Sequence, residues 1–455
     1  MNIVAMRRSV QLLAVSLLFC TAVSAQKAQV VSKYSIPYTL KIDKSISDSA
    51  LVDLAQKQTL RYFWDFAHPV SGMARERSNE SFHYGKEVVT TGGTGFGVMA
   101  IVTGVNRGWI ERDTAARFLL KMVKWLSKAD SYHGAFPHWY NGETGKTIPF
   151  SRKDDGADLV ESSFLLQGLL CARQYFNQNI PVERELRGRI NSLWNDVEWD
   201  WFTRDGREVL YWHWSPNNGW AMNFPLRGFN ECLITYVLAA SADRYPVSSR
   251  VYTNGWAQSD FFKNGKKFYT YTLPLGYDYG GPLFFSHYSF LGLSPKGLHD
   301  RYADYWEQNQ NHTLINYSYC VDNPKAFKGY GPNAWGLTAS DDPDGYSAHQ
   351  PKNDNGTITP TAALSAFPYT PDKSMKALRY YYNTLGNKIW TEYGFTDAFN
   401  ETRNWYAKSH LAIDQGPIVV MIENYRTGLL WNLFMSCPEV QRGLKKLGFE
   451  STYFK

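Results

Sequence analysis

Two kinds of helical segment alternate along the chain, and that alternation constrains the fold more than any motif. One kind is amphipathic. Residues 111–129 ("ERDTAARFLLKMVKWLSKA") and 182–198 repeat apolar residues at helical spacing and keep charges on the other face. The other kind, as at 96–103 and 233–240, is apolar or small all round, which predicts burial on every side. Alternating half-buried and fully buried helices close most simply as a double ring, with roughly parallel inner helices wrapped by outer ones. About six pairs fit the length. The expected fold is therefore all-α, an (α/α)6 toroid with aromatic-rich loops. No strand–helix–strand rhythm appears, which argues against a TIM barrel. The segment "GKKFYTYTLPLGYDYGG", within 247–282, reads instead as a small β-hairpin insertion.

The chain opens with Arg7 and Arg8, an apolar run too short to span a bilayer, and small residues before Ala25. That pattern predicts an export leader over residues 1–25 and a periplasmic protein. Bulky Phe19 argues against lipid anchoring at Cys20. The expected organisation is leader 1–25, an N-terminal extension 26–45 and one catalytic domain over 46–455. With the leader's two arginines removed and no acids lost, the net charge falls from +6 to +4. There is no basic run, so nucleic acid and membrane insertion are poor partners, and a monomer is expected. Cys171, Cys232, Cys320 and Cys437 form no CxxC pair and read as buried thiols.

Carboxylates stand where the inner helices begin. Asp154, Asp158 and Glu161, in "DDGADLVESS", have i, i+4, i+7 spacing, which would put them on one helical face. Glu231 opens "NECLITYVLAAS", and Asp414 opens "DQGPIVVMIENY" with Pro417 in its first turn. If the inner helices run parallel, these acids converge at one mouth of the ring. Capping offers a plainer account of acids at helix N-termini. It suffices for Asp155 and serves Asp158 and Asp414 as well as a site does. Glu161 and Glu231 precede nearly unbroken apolar runs and are harder to explain that way. Glu423, close to Arg426, reads as a structural ion pair.

Glycoside hydrolysis gives a reason to cluster carboxyls, because it needs one protonated and one ionised at the same pH. Burial and like-charge neighbours can set that difference. The loops suit a sugar. "GAFPHWYNGETG" and "YWHWSPNNGWAMNFPLRGF" combine aromatic rings with Gly, Asn and Pro in a chain that is 16% aromatic. The expected sugar contacts are Trp139, Tyr140, Trp212, His213, Trp214, Trp220, Arg227 and Trp335. The alternative is that these rings only cover the end of the barrel.

No metal or organic cofactor is expected. Asp341, Asp342, Asp344 and Asp354 lie in turn-like stretches without EF-hand spacing, and no HExxH is present. "GGTGFG" has no preceding strand in this reading, so a dinucleotide loop is not inferred.

The run "YGGPLFFSHYSFLGLSPKGLHDRYADYWEQNQNHTLINYSYCVDNP", continuing to "GYGPNAWGLTASD", resembles the bacterial glucoamylase-like domain of glycoside hydrolase family 144. "TTGGTGFG", "DGADLVESSFLLQGLL" and "GFNECLITYVLA" are also similar to segments of that family. The resemblance implies an (α/α)6 barrel and an inverting, cofactor-free hydrolase of β-1,2-glucans. It carries over Asp154, Asp158, Glu161 and Glu231, with an aspartate near Asp414. Glu231 is the expected general acid and Asp414 the base, with Asp158 or Glu161 as alternatives for the base and Asp154 in support. A glucoamylase-type hydrolase, a polysaccharide lyase and a non-catalytic glycan-binding protein are the competing readings.

Overall fold

The computed structural model describes residues 35–79 and 85–454; the leader read at 1–25, with Cys20, lies outside them. From Tyr38 onward the chain forms one compact unit. Helix α1 (Asp48–Trp64) is followed by β1 (Val88–Thr90), α2 (Thr91–Asn106) and α3 (Arg112–Leu126). Short strands β2 (Trp139–Asn141), β3 (Thr147–Ile148) and β4 (Ala157–Asp158) lead into α4 (Leu159–Tyr175) and α5 (Pro181–Asn195). Then come β5 (His213–Trp214), α6 (Leu233–Ser241) and the hairpin β6 (Lys267–Phe268)–β7 (Tyr271–Thr272). Helix α7 (Tyr305–Asp322) precedes a second hairpin, β8 (Ala339–Asp342)–β9 (Gly345–Ala348). The rest is α8 (Pro360–Leu364), α9 (Pro371–Asn383), α10 (Gly386–Ile389), α11 (Ala412–Arg426), α12 (Leu429–Met435) and α13 (Pro438–Leu447), with two small hairpins between α10 and α11.

The fold is predominantly helical. Among the described residues the strands pair only in antiparallel twos and threes, and no sheet closes. This is consistent with an α/α toroid carrying a small β-hairpin insertion. Every residue of α6 is buried, as is an unbroken stretch from Thr91 to Gly104 in α2 and from Leu159 to Ala172 in α4. By contrast, α3 buries one stripe, with Ala115, Ala116, Leu119, Met122, Val123 and Leu126 at helical spacing. Each large aliphatic side chain in such a stripe contributes roughly 1.5–3 kcal/mol.

Glycine lets the buried helices touch. A Cβ on Gly95 would lie 2.1 Å from the Phe164 carbonyl, and one on Gly168 would lie 2.1 Å from the Gly95 carbonyl, so α2 and α4 meet backbone to backbone. Their N-termini lie together, because the Gly92 N–H donates to Glu161 Oε2 at 2.7 Å. The start of α11 joins them, since a Cβ on Gly93 would approach Ala412 Cβ to 2.6 Å. The three helix starts therefore share one mouth.

Several local expectations are corrected. A strand, β1, does precede "GGTGFG", but it pairs antiparallel with β2 and begins no βαβ unit. Residues 282–293, part of the run that carries the family resemblance, form short 3-10 turns between Gly281 (φ 79°) and Gly292. Glu423 pairs with Arg107 at 2.8 Å, whereas Arg426 reaches Asp53 at 2.9 Å. Gln56 of α1 stands between them, donating to Glu423 and accepting from Arg426, so each finds a separate charged partner. Pro417 sits in the second turn of α11, because that helix begins at Ala412. The four described cysteines are buried and free.

Candidate active site

The acidic stretch at 154–161 is not one helical face. Helix α4 begins at Leu159, Asp158 is the last residue of β4, and Asp154 sits in a turn bridged to Ser151. The reason is capping. Asp158 Oδ1 accepts from the Val160 and Glu161 N–H groups at 3.0 and 2.9 Å, which fixes the helix start there. β4 then pairs with β5, Asp158 opposite His213, and a Cβ on Gly156 would strike the Trp214 carbonyl at 2.4 Å. The acids still gather, but a strand and a turn bring them together.

Asp158 is the organiser. The Trp212 Nε1–H donates to its Oδ1 at 2.9 Å, and His138 Nδ1 lies 2.9 Å from its Oδ2. Burial alone would raise its pKa, but His138, His213 and the Glu161 N–H hold it below the usual range. Burial would lower the pKa of His138, yet Glu161, Asp158 and Asp154 together raise it to about 9. The imidazolium is therefore charged at neutral pH.

Three other carboxyls have fewer donors, and their pKa values rise. Burial, and then Asp158, raises Asp154 to about 7. Glu161 also rises to about 7 through burial and Asp158, opposed by His138 and the Gly92 N–H. Glu231 rises to about 7 through burial, with its own backbone N–H opposing and Glu161 and Asp158 adding to the rise. The backbone beside Glu161 must be glycine: a Cβ on Gly92 would lie 2.5 Å from Glu161 Oε2.

Of these groups, His138, Glu161 and Glu231 face a cleft made of two adjoining cavities. A cavity of about 400 Å³ is lined by Glu76, His138, Trp139, Phe150, Glu161 and Tyr288, among others. A second, of about 670 Å³, is lined by Phe224, Phe261, Tyr277 and Lys263, among others. Trp212, Glu231 and Phe284 line both, so the cavities meet at Glu231. Rings line the inner half, with His138 stacked on Phe150 at 4.2 Å between centroids.

Of the residues expected from sequence, Glu161, Glu231, Trp139 and Trp212 line the cleft. Asp158, Asp154 and His213 sit close by, with His213 Nε2 3.4 Å from Asp154 Oδ2. Asp414 is not on the wall: it is buried, with Oδ1 3.5 Å from the Tyr288 hydroxyl that intervenes.

Besides His213, five expected sugar contacts are not on the wall. Tyr140 is fully buried, and its hydroxyl donates to the Asp130 carbonyl. Trp335 is fully buried in the core, where its ring packs against Tyr317. Trp214 packs on His133 and Trp201, and Trp220 on Trp201 and Tyr211, in a separate aromatic cluster. Arg227 donates to the Asn254 and Gly255 carbonyls.

The sequence reading missed Glu76, Arg77, Tyr288 and Asp397. "ARERS" looks like an ordinary charged loop, and nothing in the local sequence sets those residues apart. Among the described residues, two groups could offer three metal-ligand atoms within 4.8 Å of one another: His138, Asp154 and Asp158, and His68, Glu87 and Glu143. At the first, a cation would have to displace the proton that His138 Nδ1 shares with Asp158.

Comparison with known proteins gives consistent relatives. The family model "Glycoamylase: Putative glucoamylase" matches residues 223–438. The crystal structure of a "putative glucoamylase" from Bacteroides uniformis is 60% identical, with 91% of this chain and 100% of that one covered and a TM-score of 0.89. The endo-β-1,2-glucanase of Chitinophaga pinensis, solved with sophorotriose and glucose, is 55% identical over 90% of this chain and 100% of its own, with a TM-score of 0.88. An exo β-1,2-glucooligosaccharide sophorohydrolase of Parabacteroides distasonis is 46% identical over 441 residues, 92% of this chain. The chain spans 60% of that curated relative's length.

Proposed function

The chain belongs to the bacterial glucoamylase-like, glycoside hydrolase family 144 type of β-1,2-glucan-active proteins, and from that premise we propose that it hydrolyses β-1,2-glucan or oligosaccharides cut from it. One observation carries the chemistry: Glu161 and Glu231 open on the same ring-lined cleft, both held near neutrality by burial.

Their surroundings separate their roles. Glu161 has the Gly92 N–H and the charged His138 beside it, which favour its carboxylate. At Glu231 only its own backbone N–H opposes the rise, while Glu161 and Asp158 both add to it, so we assign the proton to Glu231. In the proposed inverting reaction Glu231 gives its proton to the glycosidic oxygen as the C1–O bond breaks. Glu161 takes a proton from the water that attacks C1 from the opposite face. Glu231 ends ionised and Glu161 protonated, and the two exchange protons with solvent before the next cycle. The base is thus Glu161, one of the sequence-derived alternatives, because Asp414 is set back behind Tyr288. Asp158 is a poor base, since protein donors occupy both of its oxygens.

Trp139 and Trp212 would stack on sugar faces, and the meeting of the two cavities at Glu231 would divide leaving group from retained sugar. We read residues 46–455 as the catalytic domain, acting as a monomer in the periplasm. No helix among the described residues is long and apolar enough to cross a membrane.

The test is incubation of the purified protein with linear β-1,2-glucan, starch and laminarin, with products followed by chromatography and anomeric configuration by NMR. Short products from β-1,2-glucan alone, with inversion, are expected. Cleavage of starch, unsaturated products, or binding without products would each replace this reading.

A further inference from the structure

Behind the cleft wall two carboxyl groups face each other without a donor between them. Asp397 lies between the two small hairpins that separate α10 from α11, and its Oδ2 accepts the Asp341 N–H at 2.7 Å. Asp414 stands in the first turn of α11, with Oδ1 3.5 Å from the Tyr288 hydroxyl. The other two oxygens, Asp397 Oδ1 and Asp414 Oδ2, are buried and accept from no protein donor. Each side chain nevertheless lies within hydrogen-bonding reach of the other. Ionised carboxylates only accept, so such a contact requires a proton on one of them. Two charges side by side in a buried site would be strongly unfavourable.

The nearby cation does not relieve the pair. Arg77 is engaged with Asp341 at 3.0 Å and Glu76 at 2.9 Å. The other ionisable groups acting on the pair are the carboxylates Asp341 and Glu76, which push the pair further toward holding a proton, and Tyr288, Tyr346 of β9 and Tyr62 of α1, all neutral when protonated.

We infer that Asp397 and Asp414 share a single proton, forming a carboxylic acid–carboxylate dyad with one negative charge behind Tyr288. Asp397 is then a positioning residue. The dyad's charge draws the Tyr288 O–H away from the cleft and leaves the phenol oxygen's lone pairs to accept from a sugar hydroxyl. That consequence at Tyr288 rests on the catalytic reading above; the dyad itself rests on the geometry.

Burial, with the partner's charge adding, raises Asp397 well above the usual range. Burial also raises Asp414 to about 7. A pKa raised on folding means that the folded state holds the proton more tightly. The dyad's stabilising share is therefore full below the ordinary aspartate value of 3.8 and is lost as pH rises through about 7.

The experiment is thermal unfolding of the full chain from pH 5 to pH 8, for wild type, Asp397→Asn, Asp414→Asn and the double variant. The wild-type midpoint should fall with rising pH. Either single substitution should flatten that fall to the same extent, with no further flattening in the double variant, because one shared proton is lost in each case. Losses that are independent of pH and additive would overturn the dyad. If the asparagine variants do not fold, Tyr288→Phe serves instead. It removes the donor that favours the dyad's ionised oxygen, so the proton is held longer and the fall, whose onset is set by the unfolded chain, should continue to about one pH unit higher; an unmoved upper end would overturn the proposal. Glucan cleavage is assayed separately, so failure of the catalytic reading shows as absent products and failure of the dyad as an unchanged stability profile.

Discussion

The mouths of α4 and α11 are built from similar parts and end in different states. Each gathers several carboxyls and at least one basic side chain: Asp154, Asp158 and Glu161 with His138 and His213, and Asp341, Asp397 and Asp414 with Arg77, which holds Asp341. At α4 the base is a titratable imidazole, and its partner Asp158 is satisfied by four donors. That leaves Glu161 free to face the cleft. At α11 the base is a permanent cation engaged with Asp341 and Glu76, and the remaining pair sits behind Tyr288. An acid at a helix start has no role fixed by that position. Its role follows from which donors reach it and which surface it opens on.

The largest expected effect tests that contrast directly. Glu231→Gln and Glu161→Gln should each lower kcat on β-1,2-glucan by roughly 10²–10⁴-fold, the range for loss of a general acid or base. Asp414→Asn should lower it by only about tenfold, as expected of a group acting through Tyr288. An equal loss in Asp414→Asn would move the base to the mouth of α11.

Next comes pH. The general acid must hold its proton, so kcat/KM should fall as pH rises through about 7 and Glu231 ionises. The base must be ionised, so kcat/KM should also fall at lower pH as Glu161 takes up a proton. A narrow bell is expected. In Glu231→Gln the residual activity should lose its alkaline limb, and a limb that persists would assign it to another group.

A smaller loss should follow Gly92→Ala. Alanine favours a helix, but its Cβ would meet Glu161 Oε2 at 2.5 Å and push the carboxylate aside. We expect roughly a tenfold drop in kcat with the unfolding midpoint little changed; unchanged kcat would show that Glu161 tolerates displacement.

The smallest effects separate the two tryptophan groups. Trp212→Ala removes a ring from both halves of the cleft and should raise KM about five- to tenfold, as loss of about 1 kcal/mol of stacking implies. Trp220→Ala should leave KM within about twofold, because that ring packs on Trp201 and Tyr211. Equal effects would bring the separate aromatic cluster into substrate binding.

How far the sequence could be read depended on whether the signal was local. Helix type was legible because burial on all sides requires the uniformly apolar or small sequence of α2, α4 and α6. Glu161 and Glu231 stood out because a carboxylate directly before such a run is costly without a purpose. The convergence of the acids was anticipated by a partly mistaken route. Spacing suggested one helical face, whereas capping by Asp158 and the β4–β5 pairing make the cluster. Trp335 and Tyr140 misled because a ring in a glycine-rich loop looks the same in sequence whether it points to solvent, cleft or core. Asp397 had no signal: its partner Asp414 lies beyond an intervening hairpin, and only folding brings the two together.

The sequence by itself determined the kinds of helix, their alternation and the family, since periodicity, burial and motif are written residue by residue. Tertiary structure alone decided which carboxyl keeps a proton, which is capped and which shares one. A pKa depends on desolvation and on charges within a few ångströms, and those neighbours come from residues far apart in the chain.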